Sequence, residues 1–249
     1  MTINLETGLV STGSVWKYLD TGTNLGVSWR SASFNDDSWA SGRAQLGYGD
    51  GDEATLVGYG PDQNNKYITT YFRRRFIVPD TSLFTNLLLR VLRDDGAVVY
   101  LNGLEVFRSN MPAGAITYTT LALASVGGAD ESTTFYPAIV STNRLVSGTN
   151  VFAVEIHQGA TNSSDISFDL ELLGLRPIVP PTLSIRRNAS DAILSWSAFT
   201  QGFRPELTSI LSATNNWTGL TNQILTANGQ NMVAVKLTAE AELFRLRKL

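Results

Sequence analysis

Residues 166–174 read ISFDLELLG. Ile166, Phe168, Leu170 and Leu172 take every second position, and Ser167, Asp169 and Glu171 fill the gaps. Successive side chains of an extended chain point to opposite faces, so a period of two marks a half-buried antiparallel strand. The same reading extends outward. TYFRRRFIVP (70–79) and NVFAVEIHQ (150–158) read as strands. AVVYLNGLEVF (97–107) is two short strands around Asn102-Gly103, a pair that favours a two-residue hairpin turn. LLLRVL (87–92) fits helix or strand by itself; its Val and the Asp-Asp-Gly after it favour strand. Helix signals are sparse: SWRSASFNDDSW (28–39) offers one turn, with Ser33 or Asp36 as its cap.

RPIVPPT (176–182) breaks this pattern, because its prolines forbid a regular element. A domain boundary is expected there, near residue 179. Beyond it, TLSIRR, AILSWSA, NQILTA, MVAVKL and LFRLRK follow at short spacing with turn residues between them. That spacing reads as a small β-sandwich. The chain is therefore expected to be all-β, with a larger sandwich over 1–179 and a smaller one over 180–249. Long irregular loops are expected at 20–66 and 108–136, where function concentrates in compact domains.

Of the 249 residues, 43% are hydrophobic and 16% charged, so a real core is available. No apolar run reaches the roughly 18 residues of a membrane span, and no membrane insertion is expected. The N-terminus, MTINLETGLVSTGS, has no basic start followed by an apolar stretch, so no signal peptide is read in this chain. Either the protein is cytoplasmic or this is a piece of a longer secreted chain. Cysteine is absent, which excludes a disulfide scaffold, a thiolate zinc site and a Cys nucleophile. Residues 1–179 carry 12 basic and 18 acidic side chains, against 7 and 4 in 180–249. An acidic larger part argues against nucleic acid as a partner.

FNDDSW (34–39), YFRRRFIVP (71–79), LRDDGAVVYLNGLEVF (92–107) and NVFAVEIH (150–157), in that order, resemble the galactose-binding-like jelly roll. That fold is the sugar-binding domain of glycoside hydrolase family 2 enzymes and occurs in many carbohydrate-binding modules. GYGDGDEAT (47–55), NNKYITTYFRRRF (64–76) and HQGATNSSDISFDLEL (157–172) are similar to a module of large secreted proteins of environmental bacteria. The resemblance covers about residues 14–174. The C-terminal part looks like a small immunoglobulin or fibronectin type III-like domain. The resemblance implies a jelly-roll sandwich with a structural Ca²⁺ and a glycan held at its loops or concave face. It also implies a secreted or cell-surface location and neighbouring domains in a parent polypeptide.

Asp50, Asp52 and Glu53 lie in NDDSWASGRAQLGYGDGDE (35–53), with glycines between carboxylates. Calcium wants six to eight oxygens, which such a loop supplies; the alternative is that these groups cap turns. Asp94 and Asp95 precede Gly96 and read as a tight turn. A second similarity, to the protective-antigen-type lectin domains of yeast adhesins, implies that such a pair holds Ca²⁺, so both are metal candidates. His157, the single histidine, is either a hydrogen-bonded structural residue or a sugar-hydroxyl contact at the rim. Trp29, Trp39, Tyr48, Tyr59 and Tyr67 are sugar platforms or loop anchors, since pyranose faces stack on flat rings. Trp16 and Trp196 read as core. Arg73 and Arg75 face one way on their strand, and Arg74 faces the other with Phe72 and Phe76. No GxSxG elbow and no βα alternation is present, so no enzyme is expected. The expected function is noncatalytic binding of polysaccharide or oligosaccharide. The alternatives are a structural or protein-interaction sandwich and, last, a polysaccharide-degrading enzyme.

Overall fold

The computed structural model describes residues 4–177, 180–198, 202–209, 216–239 and 241–248. The chain divides after residue 177 into two compact units. Strands dominate both, and none of the few short helical turns is long and apolar enough to cross a membrane.

The first unit is two packed sheets. One has the order β10 (Phe135–Ser141), β7 (Asn86–Asp94), β12 (Ile166–Pro177), β4 (Leu46–Tyr48) and β5 (Thr55–Leu56). β1 (Asn4–Val10) pairs with the far half of β12, on the edge whose near half is taken by β4. The other sheet has the order β3 (Ala40–Arg43), β2 (Val15–Leu19), β6 (Thr69–Val78), β11 (Gly148–His157), β8 (Gly96–Leu101) and β9 (Leu104–Ser109). Asn102 and Gly103 turn β8 into β9 with φ of 51° and 87°, the left-handed pair that matches strand twist.

The alternation of β12 is realised. Phe168, Leu170 and Leu172 enter the core between the sheets, where Phe168 meets Trp16 at 4.9 Å and Phe72 at 4.5 Å between ring centroids. Removing a ring from such a site costs about 3–5 kcal/mol. β6 divides its side chains as its sequence predicts: Phe72 and Phe76 join this core, and Arg74 beside them donates to the Val15 carbonyl. Tyr71 and Arg73 are buried on the opposite face.

That opposite face is not open. Loops fold back over it and build a second cluster from Trp29, Trp39, Tyr71, Val98, Tyr100, Met111, Ala122 and Ala153. β8 and the run Asn150–His157 of β11 are in consequence buried on both faces. The expected loops are also shorter than read, since β3, β4 and β5 lie within 20–66 and helix α1 (Ala129–Ser132) lies within 108–136. The turn expected over 28–39 is a single 3-10 turn at Ser28–Arg30, which neither Ser33 nor Asp36 caps.

In the second unit, β13 (Ser184–Asn188), β14 (Asp191–Ser197), β18 (Gln230–Lys236) and β17 (Leu225–Ala227) form one sheet. β16 (Thr218–Gly219), β15 (Phe203–Thr208) and β19 (Leu243–Lys248) form another. Trp196 is in its core. β15 escapes a sequence reading because Pro205 interrupts it; Pro is confined to edges and bulges in most sheets.

Candidate functional site

The covering loop is held by an ion cluster. Asp36 is 2% exposed and accepts from Arg73 Nε at 2.8 Å and Arg75 Nη1 at 2.9 Å, with Lys17 Nζ at 3.3 Å. Arg73, fully buried, also donates to the carbonyls of Trp29 and Ser31. Burial opposes ionisation of Asp36, but the two guanidiniums outweigh it and hold its carboxyl below the usual range. The FNDDSW stretch is thus a clamp. Trp29 is sealed beneath it, with Tyr71 at 4.7 Å and Tyr100 at 5.9 Å between centroids. Trp39 packs edge-on against Phe34 at 5.9 Å and is 7% exposed. Neither ring has a free face, so the reading of Trp29 and Trp39 as sugar platforms is corrected to one of loop anchors.

Tyr48 is likewise closed in. It accepts a hydrogen bond from Gln158 and lies 5.1 Å from the Tyr59 ring. It too is a packing residue, and burial pushes its hydroxyl pKa above the ordinary value. Tyr59 is 38% exposed. Lys66 Nζ sits 5.2 Å from the Tyr48 centroid and 5.4 Å from that of Tyr59, while donating to the carbonyls of Ser163 and Ser164.

Tyr67 is half-buried and lines a surface cleft of about 320 Å³ with Asp62, Asn65, Lys66, Tyr118 and Thr119. Its ring lies against Gly22, where a Cβ would come within 2.4 Å of it. A second cleft of about 370 Å³ has Tyr118 and Thr119 in its wall as well, with Asn24, Tyr71 and Glu155. The two clefts therefore run on from each other past Tyr118, which is 37% exposed. A larger concavity of about 490 Å³ in the C-terminal unit has no aromatic side chain among its described lining residues.

His157 braces the wall of this groove. It is fully buried, which corrects the reading of a rim contact. Its Nδ1 lies 2.8 Å from the Thr120 carbonyl, which can only accept, so Nδ1 carries the proton. Thr69 Oγ1 lies 3.0 Å from the same nitrogen and donates to the Tyr118 carbonyl at 2.9 Å. The pair ties the 118–120 turn, and Tyr118 with it, to the ends of β6 and β11. Glu155 accepts from Tyr100 at 2.7 Å and from Arg30 at 3.2 Å on the groove floor. Burial, and then the Glu155 charge, push Tyr71 up to about 12.

The carboxylates gather elsewhere, at one end of the first sheet. Asp94 closes β7 directly opposite Ser167 of β12, and Gly47 of β4 faces Ser167 from the other side. Asp165 immediately precedes β12, Asp50 follows β4, and Glu131 lies on α1, which packs on β7 and β12. Gly49 makes the approach: its φ is +114°, and a Cβ there would lie 2.6 Å from that of Asp165. One carboxylate oxygen each from Asp50, Glu131 and Asp165 lie within 4.8 Å of one another. Asp50, Asp52 and Glu53 meet the same distance condition, but Asp52 is exposed and both Glu53 oxygens accept from the amides of Asp50 and Gly51. Asp95 accepts from the Val126 amide at 2.7 Å and the Gly159 amide at 2.5 Å, so it ties two loops.

Of the metal candidates read from sequence, Asp50 lies both with Glu131 and Asp165 and with Asp52 and Glu53, while Asp94 and Asp95 belong to neither group. Tyr118, Glu131, Glu155 and Asp165 were not read as site residues. Glu131 had a weak signal, since Gly-x-x-Glu at 128–131 is a capping pattern, realised by Glu131 Oε1 accepting from the Gly128 amide at 2.8 Å.

No family model matches this chain, and no curated protein matches it. Among solved structures, it overlays 42% of the length of an uncultured Clostridium species β-glucuronidase, at 15% identity, 98% coverage of this chain and a TM-score of 0.42. For Bacteroides uniformis β-glucuronidase 2 the values are 28% of that chain, 13% identity, 99% of this chain and 0.45. For the Ruminococcus gnavus β-glucuronidase they are 41%, 13%, 98% and 0.42. The chain spans less than half the length of each, and overlays this loose carry no argument about function.

Proposed function

We propose that the N-terminal unit is a noncatalytic carbohydrate-binding module of a larger secreted bacterial protein, and that it takes poly- or oligosaccharide in the groove past Tyr118. The observation that supports this is the groove itself. Two clefts share Tyr118 and Thr119, with Tyr67 as a second ring and Asp62 and Asn65 as polar partners. Flat rings take the C–H faces of a pyranose, and carboxylate and amide groups take its hydroxyls. Such a groove is shallow, so a Kd between micromolar and millimolar, about −8 to −4 kcal/mol, is expected.

The test is affinity electrophoresis of the full chain through gels of plant and algal polysaccharides, together with a glycan array. Retardation that Tyr118→Ala abolishes supports the reading; no retardation and no array signal end it. A second reading, a structural or protein-interaction sandwich, draws on the burial of Trp29, Trp39 and Tyr48. It expects Tyr118→Ala to change no binding at all.

A further inference from the structure

The sequence holds two Asn-Gly pairs, Asn102-Gly103 and Asn228-Gly229. The first turns β8 into β9 and the second turns β17 into β18, with φ of 51° and 72° at Asn228 and Gly229. Both are two-residue turns of the left-handed kind. Their side chains differ. Asn102 Nδ2 donates to the Arg144 carbonyl at 2.9 Å and to Asn150 Oδ1 at 2.8 Å, and Asn102 Oδ1 accepts from the Val151 amide at 2.9 Å. The Asn102 amide donates to the Val151 carbonyl at 2.9 Å. Asn150 is fully buried and is itself fixed by the main chain of Val146. Asn228, by contrast, is exposed, and its side chain has no hydrogen bond among the described residues. The side-chain bond of its hairpin runs from Thr226 Oγ1 to Asn231 Oδ1 at 2.7 Å and bypasses it. The hairpin is also slight. β17 lies at the edge of its sheet, is exposed throughout and meets β18 at three residue pairs. The Gly229 carbonyl accepts from the Ala198 amide at 2.9 Å, so the β18 side is anchored and β17 is the arm that peels away. An edge hairpin this short opens at little cost in free energy.

We infer that Asn228 is a site of spontaneous covalent modification, where attack by the Gly229 main-chain nitrogen converts the side-chain amide to aspartate and isoaspartate, while Asn102 is protected. In the attack the Gly229 nitrogen bonds to Asn228 Cγ. The bond from Cγ to Nδ2 breaks, and the proton of the Gly229 amide passes through solvent to the departing nitrogen, which leaves as ammonia. A five-membered succinimide results. Water then opens this ring at either carbonyl. One opening gives aspartate; the other routes the main chain through the side-chain carbonyl and gives isoaspartate. Nothing is oxidised or reduced. Glycine suits the attack because no Cβ crowds its nitrogen. The ring closes only when the main chain turns that nitrogen onto Cγ, which requires the two-residue turn to open. At Asn228 this takes the peeling of β17 alone. At Asn102 it takes the loss of four hydrogen bonds and the parting of the buried strand β8. An isoaspartyl link adds one carbon to the main chain, so the two-residue turn cannot re-form and β17 stays released. Either product adds one negative charge.

The test holds the full chain in mildly alkaline buffer at body temperature for weeks and maps its peptides by mass spectrometry, with a parallel sample in concentrated urea. In the folded chain Asn228 is expected to gain one mass unit at least about tenfold faster than Asn102, a factor that a barrier difference of about 1.4 kcal/mol produces. In urea the two are expected to react at similar rates, because the turns and their hydrogen bonds are gone. Isoelectric focusing of the folded chain is expected to show a growing acidic band, much weaker in Asn228→Gln, a change at an exposed position. An unmodified Asn228, equal rates at the two sites in the folded chain, or an Asn102 that stays slow in urea overturns the inference. So does an acidic band of undiminished strength in Asn228→Gln. None of these readouts involves a glycan, so failure here and failure of the groove reading are separate.

Discussion

Asp36 and Asp94 are both aspartates with almost no exposure, 2% and 0%, and the fold treats them in opposite ways. Asp36 is met by Arg73, Arg75 and Lys17, and its pKa is driven down. Asp94 is met by Asp95, Asp165 and Glu131, and its pKa is driven up. Burial opposes ionisation in both places. What differs is the sign of the neighbours. At Asp36 the chain supplies the cations itself, and the result is a clamp that seals Trp29 under a loop. At Asp94 the chain supplies more carboxylates, and the result is a carboxyl held in its neutral form.

The first prediction breaks that comparison directly. Asp36→Ala strands Arg73 as a buried charge and is expected to cost about 3–5 kcal/mol, measured by urea denaturation. Asp94→Asn is expected to change stability by less than about 1 kcal/mol at pH 7, because a carboxyl with so raised a pKa is already neutral and no ion pair is broken. Equal losses at the two sites would remove the distinction.

Asp169 sharpens it as an intermediate case, since it is buried with backbone donors and no ion partner. It accepts from the Gly13 amide at 2.9 Å and the Leu170 amide at 2.7 Å. Burial still pushes its pKa to about 6 from an ordinary 3.8. The folded state thus favours the neutral form, so this contribution is fully present below about pH 4 and is lost as pH rises through 6. Two pH units correspond to about 3 kcal/mol. The stability of the wild type minus that of Asp169→Asn is expected to fall by an amount of this order between pH 4 and 7. The Asp36 contribution runs the other way and is lost as pH falls through its depressed pKa.

A smaller effect tests the groove against the clamp. Tyr118→Ala is expected to weaken binding of any retained oligosaccharide about tenfold, or about 1.4 kcal/mol, while leaving the urea midpoint nearly unchanged. The smallest effect is reserved for the half-exposed pair of Arg90 and Glu171, 3.0 Å apart across β7 and β12. A double-mutant cycle there is expected to give less than about 1 kcal/mol, and that only at low salt.

Several parts of this architecture were readable in advance for a common physical reason. Strand identity is a local property, carried by the period-two pattern of β12 and by the Asn102-Gly103 turn. The split of β6, with Phe72 and Phe76 inward and Arg73 outward, follows from the pleat. β8 and β11 carry nearly continuous apolar runs, GAVVYL and NVFAVEI, which mark strands buried on both faces. They announce that something covers the outer face, and hence that rings such as Trp29 and Trp39 have a core to join.

The amino-acid order by itself determined that this chain is built of paired strands, because alternation and turn chemistry act between neighbours along the backbone. It also determined that acids, rings and a single histidine were available for use. Only the tertiary structure decided that Trp29, Trp39 and Tyr48 are sealed while Tyr59, Tyr67 and Tyr118 reach the surface. It alone brought Asp50, Glu131 and Asp165 to one point. These three lie far apart in the chain, and nothing local links them. Their meeting depends on which strands pair and where each one ends, and that is settled by packing across the whole sandwich.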